Sequence, residues 1–117
     1  MRIEKSDPSK PKGWYAGPWN SALGISIGYA NQGVDDLHLH RTMTEVYLIA
    51  RGSVEMRIEG ETVIAHEGEA VMVEPGEAHT FLSNSPDYLH FVIQTPGLAG
   101  DAARADKVAV PRSRLGL

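Results

Sequence analysis

The sequence predicts an all-β domain, a sandwich or closed barrel of short antiparallel strands. Three observations carry this. Between residues 19 and 95 apolar side chains recur with a period of two. The alternating stretches are short, roughly four to eight residues, and turn signals separate them at about every eight to twelve positions. No convincing amphipathic helix interrupts them; the nearest is the short, weak "GDAARADKV" near the end.

In order, "LGISIGYA" sets Ile25, Ile27 and Tyr29 against Ser26 and Gly28. "EVYLIARG" is β-branched, aromatic and aliphatic, and Gly52 closes it. "SVEMRIEG" places Val54, Met56 and Ile58 on one face and Glu55, Arg57 and Glu59 on the other. Gly60-Glu61 is then expected to turn the chain into "TVIA". "HEGEAVMVEPGEAHTFLSN" holds turns at Glu67-Gly68 and Pro75-Gly76, each followed by a strand, and "YLHFVIQTPG" is the last. A single domain over 1–117 is expected, with a core at about 19–97 and charged, Pro-bearing arms at 1–18 and 98–117.

Composition narrows the function. Of 117 residues 42% are apolar and 22% charged, ordinary values for a globular chain. There is no cysteine, which excludes disulfides and thiolate chemistry. No apolar run reaches the ~20 residues a membrane helix needs, and "MRIEKSDPSKPKGW" lacks a signal-peptide apolar region. A cytoplasmic protein without membrane contact is therefore expected. From 13 to 100 there are eleven acids against three bases, Arg41, Arg51 and Arg57, a balance of −8. Such a middle repels phosphate backbones, so nucleic acid is not an expected partner.

The segment "LHLHRTMTE" departs from the apolar pattern. In a strand His38 and His40 share a face, with Leu37 and Leu39 behind them. Two adjacent imidazoles are a start for a transition-metal site. Glu45, five positions on, has the wrong parity for an unbroken strand, so "RTMT" must bend or bulge to bring it back. Tyr47 and Ile49 would follow Glu45 inward. A third histidine, His79, starts a strand after the Pro75-Gly76 turn and leads Phe81 and Ser83 on its face.

The order Gly33, His38, His40, Glu45, Gly52, then Gly68, Pro75, Gly76, His79, Asn84, resembles the two motifs of the cupin family. The Gly33 spacing is one short, Glu74 stands where a proline usually falls, and Asn84 comes one late; none is a ligand position. The resemblance implies an antiparallel double-stranded β-helix, a jelly-roll barrel, with His38, His40, Glu45 and His79 as metal ligands. Such a donor set suits divalent Fe, Mn, Ni, Co or Zn and leaves about two positions for water or substrate. It further implies a metal-dependent enzyme on a small oxygen-rich substrate: a dioxygenase, isomerase, lyase or decarboxylase. Glu45 would be ligand and proton acceptor, and Tyr47 would position substrate. The alternative is a non-catalytic metal- or small-ligand-binding protein. A sugar-nucleotide epimerase is disfavoured, since the middle offers few bases for a diphosphate. A homodimer is expected.

Other residues carry two readings each. His66 is expected in an exposed turn without a role. His90 is either a hydrogen-bonded structural histidine or an acid–base group in the pocket. Tyr47 and Phe81 line the cavity or simply pack. Trp14, Trp19 and Tyr29 form a rim at the barrel mouth or make dimer or core contacts. The tail "VAVPRSRLGL" is either a disordered end or a basic arm crossing onto a partner's barrel, anchored by Leu115 and Leu117 and paired through Arg112 or Arg114.

Overall fold

A strand that alternates apolar and polar side chains can bury only one face, so this chain needs two sheets whose apolar faces meet. The computed structural model, which describes residues 1–117, has that arrangement. One antiparallel sheet runs β1-β2-β9-β4-β7, built from Lys12–Ala16, Ser26–Ala30, Leu89–Thr95, Thr44–Arg51 and Ala70–Val73. The other runs β10-β3-β8-β5-β6, from Lys107–Ala109, His38–His40, His79–Asn84, Ser53–Ile58 and Glu61–His66. One short helix, α1, spans Gly100–Asp106. No helix is long and apolar enough to cross a membrane. The expected double-stranded β-helix is the fold.

The alternation read in the sequence sets the core. Tyr47 and Ile49 of β4, Val54 and Met56 of β5, Ala65 of β6, Val73 of β7 and Val92 of β9 meet with Tyr88 between the sheets. Val54 and Met56 are sealed from solvent, and such side chains each contribute roughly 1.5–3 kcal/mol. The cavity adjoins this core, and Tyr47 and Val92 belong to both.

"RTMT" bends rather than bulges. β3 ends at His40 in one sheet, and β4 begins at Thr44 in the facing sheet. The parity of Glu45 relative to His40 is thus set by a change of sheet. Gly52, where β4 passes into β5, has φ +71°, and an added Cβ would lie 2.1 Å from Ser85 Oγ. Only glycine fits there.

The β5–β6 hairpin turns on Glu59 and Gly60, one residue earlier than expected, with Ile58 paired to Glu61. Glu59 adopts a left-handed φ of 51°. Its amide donates to Ala78 O at 2.8 Å, and its carboxylate accepts the Ala78 amide at 2.8 Å. These two bonds hold a conformation a glutamate otherwise avoids.

Both segments read as arms contribute strands. β1 pairs with β2, and β10 pairs with β3 in the register Lys107↔His40 and Ala109↔His38. The tail is ordered and folds onto its own barrel. Leu115, in a 3-10 turn over Arg112–Leu115, is sealed from solvent. Arg112 pairs with Asp35 at 3.0 Å and Arg114 with Glu59 at 2.8 Å. Leu117 stays exposed on this chain. Basic arm and acidic barrel do attract each other, and a single chain satisfies the contact.

Leu115→Ala is expected to destabilise the protein by roughly 2–4 kcal/mol by opening a cavity. Arg112→Ala, at an exposed ion pair, is expected to cost under about 1 kcal/mol. Urea midpoints of the two variants check this; equal losses would contradict the docking of Leu115.

Candidate metal centre and its cavity

Strand pairing brings His38 and His79 side by side, since they are register partners on β3 and β8. His40 follows two positions along β3, and Glu45 faces all three from β4 in the other sheet. The imidazoles point Nε2 first at one carboxylate oxygen. Glu45 Oε1 lies 3.1 Å from His40 Nε2, 3.1 Å from His79 Nε2 and 3.7 Å from His38 Nε2. Ligand atoms of His38, Glu45 and His79 all lie within 4.8 Å of one another. His40 joins them through Glu45.

The opposite edges of these rings are fixed. His38 Nδ1 lies 2.6 Å from Asp36 O, and His79 Nδ1 lies 3.0 Å from Glu77 O. A carbonyl only accepts, so each Nδ1 carries a proton and each Nε2 is left facing inward, to give its lone pair to a metal or, carrying a proton of its own, to donate to Glu45. Lone pairs aimed at a buried carboxylate repel it unless a cation, proton or metal, stands between them. The donor set therefore fits a divalent transition metal: neutral imidazoles, one carboxylate, and rings locked from behind.

Two supporting residues carried no signal in the sequence pattern. Gln94 on β9 donates to Glu45 Oε2 at 3.0 Å, which holds the other oxygen toward the histidines. Asp106, at the end of α1, is buried and lies 3.2 Å from His40 Nδ1, although that nitrogen is not aligned for a hydrogen bond. Its Oδ1 accepts from the Thr42 amide at 2.8 Å and the Thr42 hydroxyl at 2.5 Å. Asp106 thus ties the "RTMT" bend and His40 to the C-terminal segment. Its partners are 63 and more residues away, a separation that no local motif encodes.

Charges follow the geometry. Burial works to raise the Glu45 carboxyl, but hydrogen bonds with the three histidines outweigh it and hold it well below its ordinary range. Burial works to lower His40, but the Glu45 and Asp106 carboxylates outweigh it and raise it. Tyr47, buried and beside Glu45, is pushed far above the usual phenol range by desolvation and then by that charge.

A cavity of about 360 Å³ opens over the cluster, at the small end for ligand pockets. His38, His40 and Glu45 lie at its wall, with Tyr47, Phe81, His90 and Val92 beside them. Tyr47 and Phe81 therefore line the cavity as well as packing, with ring centroids 5.1 Å apart in a T-shape. His90 has both characters: its Nδ1 is 2.6 Å from the Tyr88 hydroxyl, and its ring stacks on Phe81 and borders the cavity. His66 is exposed and pairs only with Glu69 in its turn. Trp14, Trp19 and Tyr29 all border the cavity, and Tyr29 is also buried against Tyr15 and accepts the Asp7 amide.

A family model described as the cupin domain matches residues 27–94. No curated protein matches the chain in sequence. Among solved structures, a variant of Streptomyces PAC13 with uridine is similar at TM-score 0.68, with 14% identity over 86% of this chain and 77% of that one. Pac13 is described as a nucleoside dehydratase. KdgF from Halomonas sp. matches at 0.62, with 18% identity over 79% and 81%. A cupin 2 conserved barrel domain protein from Salinispora arenicola CNS-205 matches at 0.65, with 14% identity over 89% and 94%. At such identities the likeness shows the fold.

Burial lowers His90 to about 4, against the opposing pull of Glu45. Unfolded chain therefore takes up a proton between about pH 6.5 and 4 that folded chain refuses, so stability falls as pH drops through that window. The loss is expected to reach roughly 3 kcal/mol. Urea unfolding across the window checks it, and the paired change His90→Phe with Tyr88→Phe should flatten that limb. An unchanged limb would contradict a neutral buried His90.

Proposed function

Because the chain belongs to the cupin domain family, we propose that it holds a divalent transition metal through His38, His40, Glu45 and His79 and acts on a small, oxygen-rich organic molecule. The observation that carries this is the convergence of three imidazole Nε2 atoms on one Glu45 oxygen at a cavity wall. When bound, such an ion supplies Lewis acidity to a carbonyl, enolate or alcohol oxygen.

The remaining roles fall to the chain's own atoms. Gln94 keeps Glu45 Oε2 occupied and so directs Oε1 to the histidines. Tyr47 stays protonated at any working pH, so its hydroxyl serves as a donor that positions substrate. Phe81 and Val92 exclude water from the inner wall. Glu45, kept ionised, serves first as a ligand; the proton-acceptor role belongs to the same reading, although a carboxyl held so far below its ordinary range is a weak base. A homodimer belongs to the same reading: Leu48 and Met72 leave apolar surface exposed on the outer side of β4 and β7.

One observation favours a second reading, a non-catalytic metal- or ligand-binding protein. His90, lowered to about 4, and Tyr47, raised far above its range, do not change protonation near neutrality. Uridine in the PAC13 structure supports a small polar molecule as the occupant of this kind of barrel under either reading.

Elemental analysis of zinc- or nickel-loaded protein should find about one ion per chain, with a higher melting temperature that depends on metal concentration. His79→Ala should abolish both, and Asp106→Ala should weaken metal binding roughly 10–100-fold. Because His40 is raised and a ligand must be neutral, metal uptake should release a proton and tighten as pH rises. Calorimetry in buffers of different ionisation enthalpy reads that proton. Absence of metal uptake by the wild type would end the proposal. With metal bound, turnover of candidate oxygen-rich substrates separates enzyme from binder.

A further inference from the structure

We propose that Trp14 and Trp19 form a platform for a flat, unsaturated ring, so that the molecule taken up carries such a ring joined to adjacent oxygen atoms. The oxygen half rests on the metal reading above; the ring half rests on the two indoles alone. They are the only tryptophans in the chain. Both border the same cavity as His38, His40 and Glu45. Their centroids are 5.8 Å apart at an interplanar angle of 77°, a corner that offers a face from one ring and an edge from the other.

Each indole is seated on a glycine. A Cβ at Gly28 would lie 2.8 Å from Trp14 Cε3, and a Cβ at Gly17 would lie 2.1 Å from Trp19 Cζ3. The Trp19 turn is tied down as well: the Gly17 amide donates to Asn20 Oδ1 at 3.0 Å, and the Ser21 hydroxyl donates to Gly17 O at 2.7 Å. The corner is therefore built in advance and needs little ordering when a ligand arrives. Yet Trp14 remains 48% and Trp19 47% exposed. Two fixed indoles left half open at a cavity mouth are apolar surface awaiting a flat partner. Lys12 borders the same cavity, and Lys107 there is paired with Asp36 at 2.5 Å, so Lys12 is the cation left to face a singly charged anion.

Calorimetry with three probes tests this on zinc-loaded protein. Tropolone carries a flat ring and two adjacent oxygens, acetohydroxamate carries the same chelating oxygens without a ring, and phenol carries a ring without the chelate. Tropolone should bind about tenfold or more tightly than acetohydroxamate. Trp14→Ala and Trp19→Ala should each remove most of that advantage and leave acetohydroxamate affinity unchanged; Trp14→Leu, which keeps apolar bulk, should behave like Trp14→Ala. In metal-free His38→Ala protein tropolone and phenol should bind weakly and equally, and still lose affinity in the tryptophan variants. Equal affinity of tropolone and acetohydroxamate, or tropolone binding indifferent to both tryptophans, overturns the inference. So does a change in molar mass with the tryptophan variants but none in ring affinity, which makes the indoles a subunit contact. Failure of acetohydroxamate to bind loaded protein sinks the metal reading instead, and the metal-free comparison then decides the ring alone.

Discussion

Positive charge at the meeting point of His38, His40, His79 and Glu45 is the constraint on which the rest of this structure depends. Three imidazoles directed at one carboxylate oxygen, inside a barrel, are stable only with a proton or a metal between them. Burying such a charge is costly unless partners surround it. The partners are present: carbonyls behind His38 and His79, Gln94 behind Glu45, and the Asp106 carboxylate beside His40. The carbonyls and Gln94 fix orientations, and Asp106 sets a negative charge beside His40.

The fold supplies these partners by dividing the work between its sheets. Three histidines sit on β3 and β8 of one sheet, and Glu45 and Gln94 on β4 and β9 of the other. The site therefore exists only when both sheets are packed, which the Tyr47, Met56 and Val92 core ensures. The C-terminal segment adds a second dependence. β10 covers the β3 edge, and Asp106 reaches the bend that carries the chain between sheets. A segment that a composition reading sets aside as an arm is thus part of the support for the histidine–glutamate cluster.

Much of this was legible in the sequence because it depends on period and order. Alternation marks the faces of β4, β5 and β8, spacing pairs His38 with His40, and the resemblance to the two cupin motifs joins Glu45 and His79 to them. The odd parity of Glu45 pointed to a break in "RTMT", although the break is a change of sheet and not a bulge. Asp106 and Gln94 were not legible, since each acts across a long sequence separation and a polar residue near a strand end has many uses. The strands at the two ends are hidden for a related reason. "KGWYA" and "KVA" are short edge strands whose charged neighbours resemble solvated chain, and pairing alone makes them strands. Leu115 is legible as an anchor of the tail, but its seat on its own barrel is not, because that pocket is built by distant residues.

X-ray absorption spectroscopy of the metal-loaded protein tests the central claim most directly. The account predicts a first shell of nitrogen and oxygen with multiple scattering from three imidazoles, falling to two in His40→Ala. A shell without imidazole scattering, or one unchanged by loss of His40, would contradict it.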